Sequence, residues 1–251
     1  MKEELEVYLI EYLLDELNQS VDLSGIDKFR LFRGLVNKRS PKEVSKEFII
    51  KQDEYLQLLL KERGIIDYSS HTKMKDNVYL IQGDITSINT DCIVNAANSA
   101  LLGCFYPNHG CIDNAIHTFS GVQLRLECNE LMQQQGFNEK TGYAKITNAY
   151  NLPCKKVIHT VGPIVYSNLT EDLKNDLRNC YKNVLKLAVE NGMKSISICC
   201  ISTGEFCFPN EEAAKIAVEE VEYFLESNTI DVVFNVFKDV DYEIYRRILK
   251  N

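Results

Sequence analysis

In the stretch Gly103-Cys-Phe-Tyr-Pro-Asn-His-Gly-Cys111, two cysteines and one histidine fall within eight residues. Thiolates and an imidazole are soft donors that select zinc over magnesium or calcium. In extended backbone His109 and Cys111 point to the same side. A turn through Tyr106-Pro107-Asn108 folds Cys104 back toward them, and Pro107 fixes part of that turn. Cys104, His109 and Cys111 are therefore candidate metal ligands; an unmetallated loop with packed cysteines is the plainer alternative. Structural zinc normally takes four protein ligands, whereas three ligands and an open position make a Lewis acid that can bind a hydroxyl or acidify a water. His117 offers a fourth ligand, but a histidine on a helix face more often has a structural hydrogen bond. Asp113, two residues past Cys111, is the candidate for orienting or deprotonating a water. A helix N-cap is its plainer role.

Three further stretches have types suited to ligand binding. Gly83-Asp84-Ile85-Thr86 follows a strand, and Asp84 can accept from a ligand amine or cap the next turn. Asn95-Ala-Ala-Asn98 ends a strand, and its amides suit sugar hydroxyls. Ser202-Thr203-Gly204-Glu205-Phe206 lies between a strand and a helix, where backbone N–H groups can cradle a phosphate. The last has no Walker lysine, so it is no NTPase loop.

These loops need a scaffold. From about Asn77 the chain alternates strands and helices. VYLIQGDI, DCIVNAAN, KVIHTVGP, SISICCIS and DVVFNVF read as strands. SISICCIS has apolar residues throughout and is expected to be central and buried on both faces. Helices are predicted over 112–135, 171–191 and 211–226, with DYEIYRRILK closing the chain. Such alternation gives an α/β/α sandwich with a mixed sheet, and ligands gather at the carboxyl ends of its strands. Residues 1–70 are different. VYLIEYLLDEL is an amphipathic helix, a second helix runs from Asp27 to Val36, and Ser40-Pro41 is expected to open a third. A longer helical stretch then ends at Gly64. This segment is expected to pack on the main domain, 71–251, or to meet a partner.

The formal net charge of −8 opposes a role in binding nucleic acid. The densest basic pairs, Lys38-Arg39 and Arg246-Arg247, read as solvated surface. No apolar run reaches the length of a membrane span, and the acidic start MKEELEVYLI does not suit a secretory signal. The expectation is a cytoplasmic protein with reduced thiols. Cys92, Cys128, Cys180, Cys199 and Cys200 sit among apolar neighbours and are expected in the core.

The order GDIT, NAANSALLG, CIDNAIHTFSG, VIHTVGP, ISTGEFCFP and VVFNVF resembles the macrodomain family over about residues 77–251. The resemblance implies a six-stranded mixed sheet and an ADP-ribose pocket. In it Asp84 would meet the adenine amine, with Ile85 beside it, and Asn98 the distal ribose. Gly204, Glu205 and Phe206 would wrap the diphosphate with backbone amides, Ser202 and Thr203 would also belong to the ligand site, and Phe237 would pack on adenine. Most hydrolysing macrodomains carry a glycine run where this chain has its cysteine loop. That loop and the helical extension resemble the zinc-dependent microbial branch. What this implies is one zinc ion on Cys104, His109 and Cys111, and hydrolysis of mono-ADP-ribose from proteins, with Asp113 and Asn98 as catalytic residues. An Asp- or Glu-linked ester is the expected bond. A sirtuin-type ADP-ribosyltransferase and a lipoyl-carrier protein are the partners implied. The rival readings are an ADP-ribose reader whose zinc only stiffens the loop, and an interaction protein with a relic pocket.

Overall fold

The computed structural model describes residues 2–250. Three helices come first: α1 (Lys2–Asp15), α2 (Lys28–Lys38) and α3 (Lys46–Arg63). Strands β1 (Lys73–Lys75), β2 (Val78–Gln82) and β3 (Cys92–Ala97) lead to α4 (Ile112–Ser120) and α5 (Val122–Gln135). Then follow β4 (Ala144–Asn148), β5 (Lys156–Val161), α6 (Glu171–Glu190), β6 (Ser195–Ile198), α7 (Asn210–Leu225), β7 (Asp231–Val236) and α8 (Asp239–Leu249).

The strands form one sheet in the order β1-β2-β7-β6-β3-β5-β4. The inner pairings, β2 to β5, are parallel and both edges are antiparallel. The α/β sandwich with a mixed sheet is therefore as expected, but the sheet has seven strands rather than six. The additional edge strand β1 is three residues long, with no fully buried position, so it left no alternation to read. β6 is buried at every position and β5 and β7 nearly so, because helices cover both faces. α6, α7 and α8 pack side by side, while α1–α5 form a second group linked through α2 and α4.

Two helix expectations need correction. Ser40-Pro41 does not open α3. Arg39 leaves α2 in an extended conformation, and its guanidinium takes the carbonyls of Lys42 and Glu43. That holds residues 40–44 as a loop, and Ser45 caps α3 by accepting from the Phe48 N–H at 3.1 Å. Arg39 is thus not solvated surface; it is buried and paired with Glu16. The predicted helix over 112–135 is two helices, broken at Gly121, whose φ of +99° only glycine adopts readily.

The extension shares the core of the sheet domain. Leu9, Ile10, Phe32, Phe48, Tyr55 and Leu56 are almost wholly buried in the same apolar cluster as Ile116 and Leu124. Full burial of each such side chain contributes about 1.5–3 kcal/mol.

Candidate active site

The site stands on the carboxyl ends of four neighbouring parallel strands. In sheet order these are β2 with Asp84, β7 with Phe237, β6 with residues 202–206, and β3 with Asn98. Motifs far apart in sequence converge there because a parallel sheet aligns all its strand-to-helix loops on one edge.

Asp84 follows β2 and begins a short 3-10 turn over Ile85–Ser87. Its Oδ1 accepts from the Thr86 N–H at 2.9 Å and the Thr86 hydroxyl at 2.7 Å, the capping role foreseen as its alternative. Its Oδ2 pairs with Arg63 of α3 at 2.9 Å. Ile85 is buried. Gly83 donates to the Val236 carbonyl at 3.0 Å, tying the strand ends that carry Asp84 and Phe237. Phe237 lies one residue past β7 and is 77% exposed, an uncovered ring beside the strand ends.

In the 202–206 loop, Ser202 has φ of +65° and its buried hydroxyl has no partner. Thr203 bonds back to the Cys200 carbonyl. Among the described residues, the N–H groups of Gly204, Glu205 and Phe206 donate to no protein acceptor. A row of undonated backbone N–H groups at a strand-to-helix junction is an anion cradle.

After β3, Asn98 donates through Nδ2 to the Gly103 carbonyl at 3.0 Å and to Asp113 Oδ2 at 3.3 Å. Asp113 is 5% exposed and also accepts from Asn95 Nδ2 at 2.8 Å. Burial pushes its carboxyl up to about 6, against these amide hydrogen bonds and the Arg125 charge. Asp113 is not the N-cap of α4. Cys111 is, with its Sγ accepting from the Asn114 N–H at 3.4 Å.

The turn at residues 106–109 closes as expected, His109 N–H to the Tyr106 carbonyl at 3.2 Å, with Asn108 at φ of +56°. It brings the Cys104, His109 and Cys111 donor atoms within 4.8 Å of one another. Cys104 Sγ and His109 Nδ1 are 3.6 Å apart. Two ligands at zinc–sulfur and zinc–nitrogen lengths on one tetrahedral ion would lie about 3.6 Å apart. His109 Nε2 faces a carboxylate oxygen of Glu205 at 3.5 Å, the outer partner that a ligating imidazole usually has. Burial, with Cys104 nearby, pushes the Cys111 thiol up to about 12. A cation is what would draw off that proton. On donor chemistry and spacing, the residues fit zinc.

His117 does not join these donors. Its ring lies in a second, fully buried group with Cys128 and His159. His159 bonds Asn95 and Thr147, and burial depresses its basicity to about 3. Burial likewise holds His117 well below the usual range. Cys92, Cys128, Cys180 and Cys199 are buried as expected, and Cys200 is half-buried.

Three residues at the site were not foreseen, and a fourth, Asn95, was expected to suit a sugar hydroxyl but is buried against Asp113. Arg33 and Arg63 come from the extension, where arginines on amphipathic helices look like any solvated face. Asn95 and Asn114 are the internal partners of Asp113 and Cys111. Asn95 had a legible signal, since its motif carries two asparagines; Arg33, Arg63 and Asn114 had none.

The Macro domain family matches residues 94–217. The chain is 46% identical over 261 aligned positions to the protein-ADP-ribose hydrolase of Treponema medium, covering 99% of both chains. Among solved structures, the Oceanobacillus iheyensis macrodomain with ADP shares 40% identity at a TM-score of 0.64, covering 71% of this chain and 93% of that one. The Trypanosoma brucei macrodomain in complex with ADP-ribose shares 28% identity at a TM-score of 0.67, covering 86% of this chain and 94% of that one. With the ordered loops converging on one sheet edge, these likenesses place the chain in the macrodomain family.

Proposed function

We propose that this chain is a zinc-dependent protein-ADP-ribose hydrolase that releases mono-ADP-ribose from Asp- or Glu-linked sites on proteins. The observation that carries this reading is the cluster of three soft donors, Cys104, His109 and Cys111, beside Asn98 and Asp113. Support also comes from the relative named a protein-ADP-ribose hydrolase and from the macrodomain solved with ADP-ribose. Asp84 takes the adenine amine, and Phe237 covers the base. The N–H groups of Gly204, Glu205 and Phe206 hold the diphosphate, with Ser202 and Thr203 at the loop's entrance. Asn98 holds the distal ribose, its amide fixed by Asp113 and the Gly103 carbonyl. Asp113 orients the attacking water and takes its proton. Zinc, held by the two thiolates and His109, would supply Lewis acidity at the ribose end.

Aspartate-, arginine- and serine-linked mono-ADP-ribosyl proteins, offered with and without a strong chelator, test this. The expected result is free ADP-ribose from the aspartate-linked protein only, abolished by chelation and restored by zinc. Cys104→Ser should match the chelated enzyme. Undiminished release under chelation would overturn the metal's role. Tight ADP-ribose binding with no release from any substrate would make the chain a reader.

A further inference from the structure

The loop that carries the three donors is not held by the sheet domain alone. Its outer side rests on α2, on residues more than seventy positions earlier. Arg33 bridges the loop and the first turn of α4. One Nη donates to the His109 carbonyl at 2.9 Å, and Nε and the same Nη grip Asn114 Oδ1 at 3.0 and 2.8 Å. Asn114 in turn donates its backbone N–H to Cys111 Sγ at 3.4 Å and its Nδ2 to the Tyr106 carbonyl at 3.0 Å. One turn away on α2, Asn37 Oδ1 accepts the Asn108 N–H at 2.9 Å. Gly34 lies between them. A Cβ there would meet Asn108 Nδ2 at 3.1 Å, so a glycine lets the helix approach this closely.

Each bond bears on the spacing of the donors. The His109 carbonyl belongs to a ligand residue, Tyr106 begins the turn that returns Cys104, and Asn114 touches the third donor directly. Two of them, the His109 carbonyl and Asn114, meet one planar guanidinium, whose fixed fork can hold two acceptors at once where a lysine ammonium presents a single point, and Tyr106 is reached through Asn114.

We propose that Arg33 is a positioning residue of the metal loop, so that α2 of the helical extension sets the affinity of Cys104, His109 and Cys111 for zinc. The inference rests on the zinc reading of those residues. Partners that orient ligands typically contribute 10–100-fold in metal affinity. Arg33 itself touches no donor atom. Its effect passes through Asn114 and the His109 carbonyl.

The test uses the full chain. Zinc affinity is measured by competition with a chromophoric chelator for the wild type, Arg33→Gln and Arg33→Lys. The visible spectrum of each cobalt-loaded form is recorded, together with ADP-ribose affinity of each metal-free form by calorimetry. Both variants are expected to lose at least tenfold in zinc affinity and to show altered cobalt bands, while metal-free ADP-ribose affinity stays within twofold. Weakening of less than tenfold in Arg33→Gln overturns the proposal and leaves the zinc site standing. Recovery in Arg33→Lys overturns it too, because charge alone would then suffice. Zinc affinity and ADP-ribose affinity falling together would make Arg33 a general scaffold residue and sink the assignment. A wild type that takes up no zinc removes this proposal and the zinc reading together.

Discussion

His109 Nε2 and Glu205 Oε1 lie 3.5 Å apart, joining the donor loop to the loop at residues 202–206 across 96 positions of sequence. Nδ1 of the same ring faces Cys104, so Glu205 sets the ring's orientation through the remaining nitrogen. The Glu205 side chain is 74% exposed, and its loop holds its own shape through the Cys207 N–H to Gly204 carbonyl bond at 3.0 Å. Glu205→Ala is therefore expected to weaken zinc binding by about tenfold. It should leave ADP-ribose affinity of the metal-free protein nearly unchanged, because the cradle is made of backbone N–H groups. Zinc competition and calorimetry on the same sample read both. A large loss of ADP-ribose affinity would show that the carboxylate serves the ligand and not the imidazole.

At the other end of the pocket, Arg63 Nη1 donates to Asp84 Oδ2 at 2.9 Å and Thr86 Oγ1 at 2.8 Å, and its guanidinium lies 3.6 Å over the Phe119 ring. The stack fixes the arginine and the arginine fixes the carboxylate. Arg63→Ala is expected to weaken ADP-ribose binding about fivefold and to cost about 1 kcal/mol of stability from the lost stacking. In an Asp84→Ala background the same change should add little to the binding loss, since both act through one contact. Additive losses in that cycle would give Arg63 a contact of its own with the ligand.

Burial and periodicity explain which parts were legible. β5, β6 and β7 announce themselves because both faces are covered, so apolar residues occupy both parities and the polar positions between them are few and short of charge. The donor trio is legible because cysteines and a histidine spaced along a polar loop have few other reasons to be there. Ser40 and Ser45 are each valid caps locally, and the choice is made by Arg39 capturing two carbonyls, a contact that follows from packing against Glu16. Arg33 and Arg63 escaped for the same reason. Their partners Asn114 and Asp84 are 81 and 21 positions away, and no periodicity connects them.

His159 is wholly buried, bonded to Asn95 and Thr147, and its basicity falls to about 3 from the usual 6.5. Between those values the unfolded chain takes up a proton that the folded protein refuses. Stability is therefore fully present above about pH 6.5 and is lost as pH falls toward 3, with a slope of up to about 1.4 kcal/mol per pH unit. An amide does not titrate, so the stability difference between wild type and His159→Gln should be flat above pH 6.5 and turn against the wild type below it. Urea denaturation at pH 7.5, 6 and 5 measures this. A constant difference across the series would mean that the imidazole is protonated as readily inside as outside.

Asp113 sits at the start of α4 with both carboxylate oxygens accepting from asparagine amides, Asn95 at 2.8 Å and Asn98 at 3.3 Å. The same carboxylate thus holds the residue proposed to grip the ribose and is proposed to act on the water. Asp113→Asn keeps size and shape but offers only one acceptor oxygen to two donors, so one amide must turn away. If Asp113 acts at the reacting end, kcat should fall by about 100-fold, equivalent to about 2.7 kcal/mol of barrier. Zinc content should hold, and ADP-ribose affinity should drop less than tenfold. Asn95→Ala should cost less, about tenfold in kcat, because Asn95 reaches the ligand only through Asp113. Single-turnover release from an aspartate-linked substrate, with zinc content measured on each variant, separates these outcomes. Turnover within threefold of wild type in folded, zinc-loaded Asp113→Asn would remove the carboxylate from the chemistry and leave activation of the water to the donor loop.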